Sequence, residues 1–138
     1  MAQTLTQIYI HIIFSTKNRE NLIDPNIEKE LFSYIGGISG NNNSKLIAAG
    51  GTKNRVHLLI SIDKNIKLPE LIGKIKRDSS KWIKTKDVGN FSWQDGYAAF
   101  SVGHTQIESI KKYIANQKTH HRNTGFEDEF KYFLKNFK

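Results

Sequence analysis

The sequence of 138 residues predicts one α+β domain, residues 1–138, with two helices on one face of an antiparallel sheet. Apolar residues alternate with polar ones in some segments and recur at helical spacing in others. These segments run strand, helix, strand, strand, helix, strand, an order that two packed layers satisfy. The length suits one hydrophobic core, and no linker rich in Pro, Gly and Ser divides the chain.

The first half of the chain predicts a strand, a helix and a hairpin. Residues 5–16 alternate in polarity and predict a long first strand. Asp24 and Pro25 begin a helix that ends at Gly40 and the asparagines after it, because Pro suits a first turn and Gly a helix end. Residues 46–49 and 55–62 predict the two strands of a hairpin, with Gly50 and Gly51 in the turn.

The second half predicts another helix, a last strand and two C-terminal helices. Leu68 and Pro69 begin the helix, and residues 91–102 predict an extended segment. The plan is therefore ferredoxin-like, which is also the plan of RRM-like RNA-binding modules. Residues 105–120 and 126–137 predict the C-terminal helices, the first of which carries a tyrosine, with Thr105 and Thr124 as N-caps.

The third strand separates core residues from candidate site residues. Arg55 and His57 lie on the face that the two crossover helices leave open, and His11 of the first strand has the matching parity. Tyr113 and Gln117 stand four residues apart, so one helix face presents both. A single histidine in such a row, or a single tyrosine on such a helix, also suits a purely structural role. The apolar face of the third strand, which predicts the core, consists of Val56, Leu58, Ile60 and Ile62.

Composition and charge limit the kinds of binding partner and the location that we expect for the protein. Twenty-one Lys and Arg residues against 13 Asp and Glu give a net charge of +8, which favours a polyanion. No apolar run reaches the roughly 18 residues of a membrane span. The N-terminus also lacks the basic start of a signal peptide, so we expect a cytoplasmic protein that does not bind a membrane. The absence of cysteine excludes disulfides and thiolate metal sites.

The positive charge is concentrated between residues 64 and 86, a segment that contains eight basic residues and two acidic ones. Such a run is either a solvated helix face or a surface that follows phosphate groups. Trp82, Phe91 and Trp93 would offer flat rings to unstacked bases beside it.

Six ordered motifs resemble the IS200/IS605 family of small tyrosine transposases, the Y1, HUH-type enzymes. The resemblance covers nearly the whole chain. The motifs are residues 11–19 (HIIFSTKNR), 50–51 (GG), 56–61 (VHLLIS), 79–82 (SSKW), 93–102 (WQDGYAAFSV) and 113–117 (YIANQ), the last followed by His120 and His121.

The resemblance implies a chemistry and a set of partners. In the family, a His-hydrophobic-His pair and a helix Gln hold Mg²⁺ or Mn²⁺, and a tyrosine attacks single-stranded DNA to give a 5′-phosphotyrosine. On this chain the nucleophile matches Tyr113, and the metal ligands match His57 and Gln117. The resemblance further implies hairpin-bearing single-stranded DNA as substrate and a homodimer. The residues that we expect to contact DNA are Arg55, Lys74, Arg77, Lys81, Trp82, Lys17, Arg19, His120 and His121.

The chain departs from the family at Arg55, which stands where the first histidine of the pair is usual. Arginine offers no lone pair and keeps its positive charge, so it cannot ligate a cation. Three explanations follow: a decayed or repurposed protein that still binds DNA, an isolated inactivating substitution, or a site in which Arg55 clamps the phosphate while His11 or His104 recruits metal. An inactive hairpin-binding relative and an RRM-like RNA-binding module therefore stay open as alternatives.

Overall fold

The computed structural model describes residues 3–120, together with Asp128, Lys131 and Lys135. It confirms the predicted α+β class. Short 3-10 turns lie at Lys17–Arg19 and at His104–Gln106. The strands and helices are β1 (Ile8–Ser15), α1 (Pro25–Asn41), β2 (Lys45–Thr52), β3 (Arg55–Ile62), α2 (Leu68–Lys84), β4 (Ala98–Val102), α3 (Ile107–Ala115) and α4 (Gln117–His120).

The four strands form one antiparallel sheet in the order β2-β3-β1-β4, the ferredoxin-like arrangement. The central strands β1 and β3 pair along their full lengths, with His57 opposite Ile13. This register puts His11, Ile13, His57 and Leu59 on one face, since side chains alternate along each strand. Both histidines of interest therefore lie at the middle of the sheet.

Helices α1 and α2 cover the other face and enclose the main core. Pro25 and Pro69 each occupy the first turn of their helix, where the missing N–H costs nothing. Ser79 of α2 accepts a hydrogen bond from the indole N–H of Trp93 at 3.0 Å, so this buried polar group is satisfied. The largest fully buried side chains of this core are Phe14, Phe91, Ile12, Ile23, Leu31, Ile35, Leu58, Ile60 and Leu71.

The expectation of an open second face is wrong. Helix α3 packs against it and forms a second core with β1, β3 and β4. The physical reason is that Ile13 and Leu59 make this face apolar, and the apolar stripe of α3 buries them. The stripe consists of Ile110, Tyr113 and Ile114.

Three predicted elements differ from those in the structure. Gly50 and Gly51 belong to β2, and the hairpin turn is at Lys53 and Asn54 instead, because β2 is longer than its apolar run. The first strand begins at Ile8 rather than residue 5. The predicted helix 105–120 breaks at Asn116, and Thr105 lies inside a 3-10 turn rather than at an N-cap.

The extended segment predicted at residues 91–102 pairs as a strand only from Ala98 to Val102. Phe91 and Trp93 lie in the main core, 1% and 7% exposed, so the prediction that they stack on bases is wrong. Trp93 packs edge-on against Phe14 with ring centroids 4.7 Å apart, which uses the large apolar area of both rings.

The predicted last helix, residues 126–137, lies outside the described residues except for Asp128, Lys131 and Lys135, which are helical. Within the described part of the chain, no helix combines the length and the apolar character needed to cross a membrane.

Candidate active site

Two buried imidazoles and a phenol ring form the centre of the site. His11 Nε2 and His57 Nδ1 are 2.9 Å apart and share a hydrogen bond, and both residues are fully buried. The ring of Tyr113 lies 6.4 Å from that of His11 and 5.8 Å from that of His57, measured between centroids. The sheet thus holds the imidazoles, and α3 brings the tyrosine over them.

A glycine sets how closely α3 approaches the sheet. A Cβ added at Gly50 of β2 would lie 2.3 Å from the carbonyl oxygen of Ile114, the residue after Tyr113. No other residue type fits there without moving the helix. Gly50 is therefore required for the present position of the tyrosine above β3.

Gln117 begins α4, directly after the break at Asn116. Its side-chain amide donates a hydrogen bond to the carbonyl oxygen of Tyr113 at 3.1 Å. The other amide atom, Oε1, is buried and accepts no hydrogen bond from the described residues. A buried oxygen of this kind suits a cation or an N–H donor, because leaving it without either costs free energy.

Arg55 is the first residue of β3 and is only 5% exposed. Its Nε lies 3.4 Å from Oδ1 of Asn54. It lines a cavity of about 380 Å³ at the end of the sheet, together with Glu28 and Lys118. The Lys118 ammonium donates to both carboxylate oxygens of Glu28 at 2.7 Å, so the acid is already engaged by a cation.

These residues do not fit a tightly held Mg²⁺ or Mn²⁺. The site offers an imidazole and one neutral amide oxygen, whereas such cations favour several oxygen ligands, carboxylates among them. Arg55 adds a permanent positive charge two residues from His57 on the same face.

The basic residues expected on DNA lie in two different places. Lys74, Arg77, Lys81 and Trp82 belong to α2, on the opposite side of the sheet from Tyr113. Arg77 and Lys81 are exposed, whereas Trp82 is half-buried and stacks on Tyr34 of α1 at 5.5 Å. The structure therefore does not bring the basic residues of α2 to the tyrosine.

The other predicted residues are peripheral or outside the description. Lys17 and Arg19 are exposed in the 3-10 turn that follows β1, at the end of the sheet where Arg55 lies. His104 is exposed in the 3-10 turn before α3, whereas both imidazoles of the site are fully buried. The side chain of His120 and all of His121 lie outside the described residues.

Sequence reasoning did not predict three contacts of the site. Strand parity placed His11 on the correct face, but its bond to His57 needs the register of two strands far apart in sequence. The contact of Gly50 with α3 has no local signal beyond a glycine pair. Lys118 follows Gln117 directly, and its pairing with Glu28 of α1 is a tertiary contact.

A tyrosine, an imidazole and an amide thus lie together on one face of a ferredoxin-like sheet. The chain belongs to the family described as "Transposase IS200 like", whose model matches residues 4–117. It is 24% identical over 118 residues to the ISDra2 transposase TnpA of Deinococcus radiodurans, covering 80% of this chain and 84% of that protein.

Solved structures share the fold. A crystal structure assigned to a transposase from Deinococcus radiodurans R1 superposes with a TM-score of 0.67 at 21% identity, covering 85% of this chain and 95% of that one. A REP-associated tyrosine transposase bound to a REP hairpin gives a TM-score of 0.64 at 11% identity, covering 90% and 76%. These structures confirm the ferredoxin-like fold that the sequence predicts.

Proposed function

We propose that this chain binds hairpin-bearing single-stranded DNA at the ends of an insertion sequence, with Tyr113 as the nucleophile that cuts and rejoins the strand. The observation that carries the proposal is the packing of Tyr113 against His57 with Gln117 hydrogen-bonded to it. Membership in the transposase family and a relative solved on a REP hairpin support the same substrate class.

The proposed reaction is a transesterification. The phenol of Tyr113 gives up its proton as its oxygen attacks the scissile phosphorus, the bond from phosphorus to the 3′ oxygen breaks, and the departing 3′ oxygen takes up a proton. The products are a 5′-phosphotyrosine and a free 3′-hydroxyl, and the reverse attack rejoins the strand without another energy source. A phenol with an ordinary pKa near 10 is a weak nucleophile at neutral pH, so the step depends on stabilisation of the transition state.

Arg55 suppresses this covalent step in our proposal. It removes one ligand from the Mg²⁺ or Mn²⁺ site that the family uses and places a positive charge beside it. The same residue favours the second candidate function, a hairpin-DNA-binding protein that does not cut. In both cases binding to DNA persists, because the basic surface of α2 lies on the other side of the sheet.

A homodimer is part of the proposal. Strands β2 and β4 are the two edges of the sheet, and an edge exposes backbone groups that a second copy can pair with. Light scattering with and without hairpin DNA measures the mass in solution. We expect twice the chain mass, and a monomer under both conditions would remove this part of the proposal.

Binding to three matched oligonucleotides tests the substrate class. These are a DNA hairpin with a single-stranded flank, the same bases shuffled so that no hairpin forms, and an RNA hairpin of the same sequence. We expect the DNA hairpin to bind most tightly at fixed salt. Equal binding of the shuffled strand would contradict hairpin recognition, and tighter binding of the RNA would favour the RRM-like alternative.

A further inference from the structure

The hydrogen bond between His11 and His57 restricts what His57 can do. It joins Nε2 of His11 on β1 to Nδ1 of His57 on β3 at 2.9 Å. Because Nδ1 is engaged by His11, a phosphate, a cation or a proton reaches His57 only through Nε2. The chemistry of His57 therefore depends on which of the two imidazoles donates the shared hydrogen.

Burial protects the hydrogen bond between the two imidazoles. Both residues are fully buried, so water does not compete for the shared bond. The ring of His11 is also enclosed by Phe100 and Tyr113, with centroids 6.5 and 6.4 Å away. Neither ring can turn over without disturbing these contacts, and the pair holds one orientation.

We propose that His11 is a positioning residue that accepts a hydrogen bond from Nδ1–H of His57. A neutral imidazole with its proton on Nδ1 carries its lone pair on Nε2. His57 is thereby kept ready to bind an electrophile, a cation or a proton through Nε2. In metal and phosphate sites, a second residue that fixes the ring of a ligand histidine in this way raises its affinity.

The assignment of the proton follows from function rather than from distance alone. In the opposite arrangement His11 would donate, Nε2 of His57 would carry the hydrogen, and His57 would have no lone pair to offer. This argument rests on the proposed function, which needs a basic nitrogen next to Tyr113. The hydrogen-bonded pair itself stands whether or not the chain cuts DNA.

Nitrogen-15 NMR of the labelled full chain reads the proton position directly. We expect the two-bond correlations of His57 to show Nδ1–H, which is the minor form of free neutral imidazole. Replacing His11 by Leu removes the acceptor, and the His57 pattern should change. A His57 that carries its proton on Nε2 in the unmodified chain would overturn the proposal.

A rescue experiment separates positioning from mere packing. In an Arg55→His background, His11→Leu should weaken Mn²⁺ binding by about 10- to 100-fold, whereas His11→Gln, whose amide oxygen can accept the same hydrogen bond, should lose much less. Phe100→Leu is the matched control, because it alters the packing around His11 without removing the bond. Equal losses for Leu and Gln would contradict the proposal.

The outcomes distinguish this inference from the proposed function. If the NMR pattern and the rescue hold but no DNA hairpin is bound, the positioning role stands and the transposase proposal fails. If the DNA hairpin is bound but His57 carries its proton on Nε2, the positioning role fails and the transposase proposal stands.

Discussion

At the scale of single residues, Arg55 and His57 have opposite effects on the proposed site. His57, Tyr113 and Gln117, the residues that the family resemblance assigns to the site, lie together on one side of the sheet. Arg55 stands two residues from His57 and brings a positive charge but no lone pair for a cation. In our proposal, this one side chain lowers the affinity for a metal ion.

Tyr113→Phe tests the nucleophile. The change removes one hydroxyl from a ring that is 9% exposed, so we expect the fold to persist and covalent protein–DNA adduct to be absent in any background that forms it. Tyr97→Phe, at a tyrosine that is 40% exposed, is the control and should leave adduct formation unchanged. Adduct from the Tyr113→Phe protein, resolved on a denaturing gel, would assign the nucleophile to another residue.

A second local interaction, away from the tyrosine, is the pair of hydrogen bonds that Lys76 donates to two backbone carbonyls. Its ammonium donates to the carbonyl oxygens of Gln94 and Gly96 at 2.7 and 2.9 Å, and burial lowers its pKa against the opposing effect of Asp95. Lys76→Met leaves those carbonyls without their donor, and we expect a loss of about 1–3 kcal/mol in the free energy of unfolding. Urea denaturation measures it.

The control for Lys76 is Lys84→Met on the exposed end of the same helix. We expect a change within about 0.5 kcal/mol for this variant, as for most surface substitutions. If both variants lose the same stability, the two carbonyl contacts of Lys76 contribute nothing of their own.

At the scale of elements, the contact between α3 and β2 fixes the height of the tyrosine above the sheet. The apolar stripe of α3 supplies the stabilisation, and Gly50 supplies the space. The break at Asn116 then turns the chain so that Gln117 is buried beside Tyr113 rather than continuing along one straight helix.

Gly50→Ala tests this contact. The added methyl group would overlap the carbonyl oxygen of Ile114, so we expect α3 to shift and the free energy of unfolding to fall by about 1–3 kcal/mol. Gly73→Ala on α2 meets no atom within 4 Å and should instead stabilise the protein by about 0.5–1 kcal/mol. Thermal unfolding of both variants makes the comparison, and equal effects would show that α3 tolerates the methyl group.

At the scale of the whole molecule, the sheet separates the basic helix α2 from the helix that carries Tyr113. Helix α2 carries five basic residues against two acidic ones, whereas Tyr113 of α3 lies on the other face of the sheet. A DNA substrate that contacts both must pass around an edge or an end of the sheet. The exposed Lys17 and Arg19 at the end of β1 lie on one such path.

The salt dependence of binding tests the basic helix α2. Exposed Arg77 and Lys81 should each release about one counterion equivalent, so the double alanine variant should lower the slope of log affinity against log salt by roughly 2. Lys111→Ala on α3 is the control on the other face. An unchanged slope for the double variant would place the DNA elsewhere.

Much of this architecture follows from the sequence, because the spacing of apolar residues and the positions of Pro and Gly indicate the elements. The limits of β3 follow from an apolar alternation, the start of α2 follows from a proline in the first turn, and parity alone put His57 and His11 on one face. The cover over that face could not be predicted in the same way. The stripe of α3 is clear in sequence, but which surface it buries depends on contacts between distant segments.

The failures at Phe91, Trp93 and Gly50 have the same origin. Aromatic residues near a basic run suit either a core or a stacking surface, and only the packed structure decides between them. The site was predictable to the extent that its residues lie on regular elements, whereas the bond between His11 and His57 required the register of β1 against β3.

Covalent adduct formation by Arg55→His, compared with the unmodified chain on hairpin-bearing single-stranded DNA with Mn²⁺, tests the central claim most directly. Arg77→His on α2 is the control for adding a histidine elsewhere. We expect Arg55→His to raise the adduct yield at least about tenfold, because it restores a ligand and removes a charge. A yield from the unmodified chain equal to or above that of Arg55→His would contradict the claim that Arg55 suppresses the covalent step.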